Sequence, residues 1–278
     1  MTKYKKIINQ TISSTHTDTQ GEKQTKGFLE KLCKYSGKRL PLNQQHDMRK
    51  ETIGYIENYR VVPDENHPGE WLLKGEVYYT CENIDDAMKG FSYSFTEPLV
   101  DTELGREFQI YLPFPHYNDA TIIEYLNKEK LFTIGRWYKK AGDPETISII
   151  VSGILFVLSP LWNQTFNDHV SPAIKKLLGR IKPLWDKGLH FDLIQIIQDN
   201  NKNEIELYFI PDRASKDESL EPDFIKEGIS EAEKYLCNNP NDAEKGIKMI
   251  KLYFDIQKKK YCVFHVQFLD GNDINIIE

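Results

Sequence analysis

The chain has 278 residues with a net charge of −6, 40% hydrophobic and 28% charged side chains. That length buries a sizeable core, and the composition excludes general disorder. The acidic balance leaves no electrostatic footprint for a nucleic-acid partner, and none is expected.

Residues 1–25 are polar, without apolar periodicity, and read as a flexible lead-in. In 26–36, Phe28, Leu29, Leu32 and Tyr35 fall at helical spacing before Gly37. Aromatic and β-branched residues then mark strands over Ile53–Val62 and Trp71–Thr80, separated by the turn formers PDENHPGE. Asn83–Lys89 reads as a short helix ended by Gly90, FSYSF and Phe108–Leu112 as strands, and Asp119–Lys128 as a helix.

A composition shift at Gly142–Pro144 predicts a domain boundary, giving 26–142 and 143–278 as the two domains. Thr146–Trp162 is the most apolar segment and carries no charge. Its 17 residues (162 − 146 + 1) sit at the lower end of what crosses a bilayer, about 17–25. It reads as an apolar helix, either buried in the second domain or inserted in a membrane, so membrane contact through 146–162 stays open. Val170–Leu184 is a basic amphipathic helix. Phe191–Gln198 and Glu204–Ile210 form a hairpin around DNNKN, and Ile250–Ile256 and Tyr261–Leu269 another around QKKK. Glu218–Leu236 is helical with a break at Pro222. The fold class expected is therefore α+β, a small, mostly antiparallel β-domain followed by an α+β domain with the apolar helix at its start.

Cys33, Cys81, Cys237 and Cys262 show no C-x-x-C pair and no zinc-finger spacing to histidine, which fits four thiols in a reducing compartment. The N-terminus lacks the apolar stretch of a secretory signal, so a cytoplasmic location is expected, with or without membrane association. His67 falls in the HPGE turn, and His169, His190 and His265 have no ligand spacing. No metal and no cofactor is expected.

Between about Leu40 and Tyr125 four features follow one another: His46-Asp47, a strand with Ile53-Gly54, then Gly90-Phe91-Ser92-Tyr93-Ser94-Phe95, and Phe114-Pro115-His116-Tyr117-Asn118-Asp119-Ala120. This ordered set resembles the phage prohead (capsid-maturation) serine proteases, over about a third of the chain. The resemblance implies a β-domain that cleaves peptide bonds, with Ser92 as nucleophile and His46 as general base. A serine hydroxyl attacks only when a neighbouring imidazole takes its proton, and histidine's pKa suits that exchange. The family's acidic third member falls in register on Phe108, so its neighbour Glu107 is the candidate, with Gln109, Glu97 and His116 close by. The partner implied is a protein or peptide substrate. The second half does not look like phage scaffold, so processing or regulation of its own C-terminal domain is the expectation, in a phage-related or antiphage setting by analogy only. The alternative is a non-enzymatic interaction or membrane-inserting protein on a degenerate protease scaffold.

Overall fold

The computed structural model describes residues 4–18, 21–35, 39–43, 52–80, 94–98, 108–128, 132–139, 146–157, 166–185, 189–198, 204–212, 214 and 216–276. The protein is α+β, and the chain folds as two compact units. The first comprises Met1–Phe95 with the returning segments Tyr138–Asp143 and Leu269–Asp273, and the second holds the remainder. The chain passes between the units more than once, first between Phe95 and Thr96, within the prohead-protease-like segment, and again between Asp143 and Pro144, so the first unit does not run unbroken to residue 142.

In the first unit, β1 (Lys5–Ser14), β2 (Arg39–Asn43), β3 (Thr52–Pro63) and β4 (Trp71–Tyr79) form one sheet in the order β1-β4-β3-β2. All three pairings are antiparallel. Residues 5–14, expected as part of a flexible lead-in, are therefore an ordered strand. Alternation puts Ile12, Leu40, Leu42, Ile56, Leu73 and Val77 on one face, where they bury against Phe28, Leu29 and Leu32 of α1 (Lys26–Tyr35). The polar texture of β1 hid it because this edge strand contributes little to that core beyond Ile12.

On the other face, Tyr55 and Tyr78 pair across β3 and β4 and stack at 4.8 Å. Arg39 lies over Tyr55 at 4.0 Å and Lys6 over Tyr78 at 5.0 Å.

A nine-stranded sheet runs β13-β12-β11-β10-β9-β8-β6-β7-β5. Its strands are β5 (Ser94–Pro98), β6 (Phe108–Pro113), β7 (Phe132–Lys139), β8 (Thr146–Val157), β9 (His190–Gln198), β10 (Glu204–Ile210), β11 (Ile247–Asp255), β12 (Lys260–Phe268) and β13 (Asp273–Asn275). The pairs β6·β7, β8·β9 and β10·β11 are parallel, while β6·β8, β9·β10 and β11·β12 are antiparallel. Parallel neighbours need a crossover. Between β6 and β7 lies α2 (Ala120–Asn127), and between β8 and β9 lies α3 (Ser171–Trp185). Between β10 and β11 lie α4 (Lys216–Ser219), α5 (Pro222–Asn238) and α6 (Pro240–Glu244).

Local chemistry accounts for the helix ends. The Asp119 side chain accepts from Thr121 and Ile122 at the start of α2, and Pro222 opens α5 at its first position. Helix α5 lies on the sheet through Gly228. A Cβ there would sit 2.6 Å from Phe209 Cε1 and 2.9 Å from Tyr261 Cβ, so glycine sets how closely the helix packs.

The apolar segment is a correction to the expected helix. Residues 146–157 are strand β8, hydrogen-bonded to β6 on one side and β9 on the other, and 158–162 lie outside the described residues. A continuous apolar run suits an interior strand of a mixed sheet as well as a buried helix, and the β-branched Ile147, Ile149, Ile150 and Val151 decide for the strand. Among the described residues no helix is long and apolar enough to cross a membrane.

Burial raises the carboxyl pKa of Glu206 on β10, Glu204 adds to the rise, and Lys248 offsets part of it. With the folded value above the unfolded one, the protonated acid is favoured in the fold. The penalty of the charged form therefore sets in as pH rises above the unfolded value and is fully present once pH exceeds the raised folded value. Glu206→Gln is expected to raise the urea midpoint at pH 7 and to match the unsubstituted protein below about pH 4. A variant no more stable at pH 7 would contradict this burial.

Candidate functional site

Of the residues the sequence singled out for catalysis, Ser92, His46 and Glu107 all lie outside the described residues. The framework around them is described. The Asn43↔Thr52 pair of β2 and β3 brackets the segment holding His46, and Ser94 at the start of β5 comes two residues after Ser92. Gly54 of the Ile-Gly match sits on β3 opposite Tyr79, and a Cβ there would fall 1.9 Å from the Tyr78 carbonyl oxygen. In the Phe-Pro-x-Tyr match, Tyr117 is buried with its ring edge-on to Phe114 at 5.9 Å, and Asp119 caps α2.

The first unit brings together a polar group that no spacing in the sequence announces. Strand β1 pairs with β4 until Ser14 meets Leu72. Just beyond, Thr15 donates its N–H to Trp71 O at 2.9 Å, and Trp71 N–H donates to Thr15 Oγ1 at 2.8 Å. This lock carries His16 to the tight connection between β3 and β4. There Asp64 N–H donates to Glu70 O at 2.9 Å, Glu70 N–H to His67 O at 3.0 Å, and Asn66 N–H to Asp64 Oδ1 at 3.0 Å. The last is an Asx turn, for which aspartate is the usual choice.

The other Asp64 oxygen, Oδ2, is approached by two imidazoles. His67 Nδ1 lies 3.0 Å away and His16 Nε2 2.9 Å away. Although so close, His16 Nε2 has neither hydrogen-bond geometry to that oxygen nor another partner, and it is shielded from solvent. The two rings meet edge-on with centroids 4.6 Å apart. The Asp64 side chain is 6% exposed. The Asn66 N–H, and then His67 and His16, hold its carboxyl below the ordinary value against the opposing effect of desolvation.

Beside it Glu70 is occupied. Lys23 Nζ reaches Glu70 Oε1 at 2.7 Å and the Thr15 hydroxyl donates to Oε2, and these two contacts lower its pKa. Lys23 is delivered by a turn in which Asp18 Oδ1 accepts from Glu22 N–H at 2.8 Å and Thr17 bridges Lys23.

The second unit has its own polar row. Ile194, Tyr208, Lys251 and His265 are register partners across β9–β12 and so share a face, with Tyr208, Lys251 and His265 all buried. The Tyr208 hydroxyl donates to Asp192 Oδ2 at 3.0 Å. On the opposite face the Tyr261 hydroxyl donates to Ser219 O at 2.9 Å, and burial pushes its pKa far up. Both hydroxyls satisfy buried acceptors; the first ties β10 to β9 and the second ties β12 to the β10–β11 crossover.

No family model, no curated protein and no solved structure matches the chain.

Proposed function

We propose that the chain is a serine endopeptidase in which Ser92 attacks the scissile carbonyl and His46 takes and returns the hydroxyl proton. Support comes from the ordered resemblance of residues 40–125 to prohead proteases. Within the described residues, the observation that carries it is Gly54. The glycine of the Ile-Gly match lies where β3 and β4 approach too closely for any side chain, two residues after the strand emerges from the segment that holds His46. The motif residue therefore has a framework role in the sheet, on the strand that follows the connection whose sequence contains His46.

In this reading Ser92 forms an acyl-enzyme with a peptide substrate, the amine leaves with the proton that His46 received, and water completes the cycle. Glu107 is proposed to orient His46.

A fluorophosphonate probe should label the full chain at Ser92, and Ser92→Ala should abolish labelling. His46→Ala should slow it by about 10³-fold or more, with a smaller loss for Glu107→Gln. Labelling absent at high probe concentration, or unchanged in Ser92→Ala, sinks the proposal.

A further inference from the structure

We propose that His16, Asp64 and His67 together bind one divalent transition-metal ion, with zinc the best fit to the donor set. The inference shares no residue with the protease reading and stands or falls separately from it.

Among the described residues this is the one group of three histidine, cysteine or carboxylate side chains whose ligand atoms all lie within 4.8 Å of one another. Two imidazole nitrogens and one carboxylate oxygen suit zinc and neighbouring first-row ions, and do not suit calcium or magnesium. Ligands about 2.0–2.1 Å from one ion are roughly 2.9 Å apart at a right angle and roughly 3.3 Å apart at the tetrahedral angle. The two nitrogen-to-oxygen separations here are 2.9 and 3.0 Å.

A proton explains only half of this arrangement. The Nδ1–H of His67 can donate to Asp64 Oδ2, which makes an ordinary turn clip. His16 Nε2 is as close to the same oxygen, is buried, and has no hydrogen-bond partner. A buried ring nitrogen against a carboxylate without hydrogen-bond geometry costs free energy in the metal-free protein. Two ligands of one ion, each directed at the ion and not at the other, have this relation. When the ion binds, it replaces the His67 Nδ1 proton, which passes to solvent, and that ring carries its remaining proton on Nε2.

The site is pre-organised on two of its three arms. Asp64 is held by the Asn66 N–H on its other oxygen, and His16 follows the Thr15–Trp71 lock. His67, with 61% of its side chain exposed, is the arm able to adjust. Glu70 is engaged by Thr15 and Lys23, which leaves it outside the ligand set. Three protein ligands with a solvent-facing remainder give an ion with exchangeable water positions, clamping the end of β1 to the β3–β4 turn.

The test uses the full chain without a histidine tag, stripped with EDTA and desalted. Zinc chloride is titrated calorimetrically, and cobalt chloride is followed by visible absorption. One equivalent should bind with a Kd of about 10 μM or tighter. His67→Ala and His16→Ala should each weaken binding at least about tenfold, while His116→Ala should not. Because His67 is mostly exposed, its variant should keep the circular dichroism spectrum of the parent and so decides the matter even if His16→Ala misfolds. No stoichiometric binding, or undiminished binding in His67→Ala, overturns the proposal and leaves Asp64 and His67 as a hydrogen-bonded turn clip.

Discussion

Gly54→Ala unfolds the first unit's sheet. Alanine's methyl carbon would lie 1.9 Å from the Tyr78 carbonyl oxygen and 2.9 Å from Tyr79 Cα, both backbone atoms. No rotamer change relieves a contact with backbone, so β3 must separate from β4. That separation costs the Gly54↔Tyr79 and Tyr55↔Tyr78 pairs and the stacked tyrosines that lie on them. It also disturbs β2, whose Leu42 pairs with Gly54 from the other side. The expected loss is on the order of 4 kcal/mol, in the range reserved for overpacked or backbone-strained sites. Hydrogen exchange should show lost protection for amides of residues 52–79, together with a lower melting temperature. Parental protection in the variant would mean that the β3·β4 register described here is wrong.

Phe209→Ala is expected to destabilise the second unit by about 3–5 kcal/mol, the usual cost of removing a fully buried phenylalanine. The ring is 0% exposed, meets Tyr261 edge-on at 4.9 Å, and fills the space above Gly228 against which α5 rests. Deletion leaves a cavity that α5 and β12 cannot both close, since the Tyr261 hydroxyl is tied to Ser219 O. Gly228→Ala alone overpacks the same place. In the Phe209→Ala background its methyl enters part of the vacated volume, so the two changes together should cost less than their sum. Urea denaturation of the four proteins checks this, and strict additivity would show that Phe209 and Gly228 do not share that space.

The C-terminal half was the more legible part of the sequence because its signals are local. DNNKN and QKKK interrupt runs of strand-forming residues, and both mark the antiparallel pairs β9·β10 and β11·β12. Asp119 marks a helix start through its side-chain carboxylate, and Pro222, expected as a break within one helix, opens α5. Thr146–Val157 misled because apolar content alone does not carry a period, and a strand paired on both sides has the same composition as a buried helix. Strand β1 was missed for the opposite reason. Only Ile12 among its residues joins the buried core, and its place is fixed by β4, about sixty residues later in the chain. That omission hid His16, Asp64 and His67 as well. Their proximity depends on the β1·β4 register and the Thr15–Trp71 lock, and a reading that leaves 1–25 unpaired cannot bring them together. The protease motif is a separate matter, since Ser92, His46 and Glu107 were named from resemblance and rest on it.

The irregularity of β1 bears on how the edge of the first unit's sheet meets a neighbouring molecule. Its pairing with β4 slips between Ile7 and Gln10 and again between Thr11 and Ser13, Asn9 has a left-handed φ of 60°, and lysines stand at positions 5 and 6. A kinked, charged border strand is a poor template for a neighbouring molecule. Strand β4 beneath it is nine residues long, with the fully buried Leu73 and Val77. Trimming the first fifteen residues as though they were a tail would uncover that edge and invite self-association into aggregates.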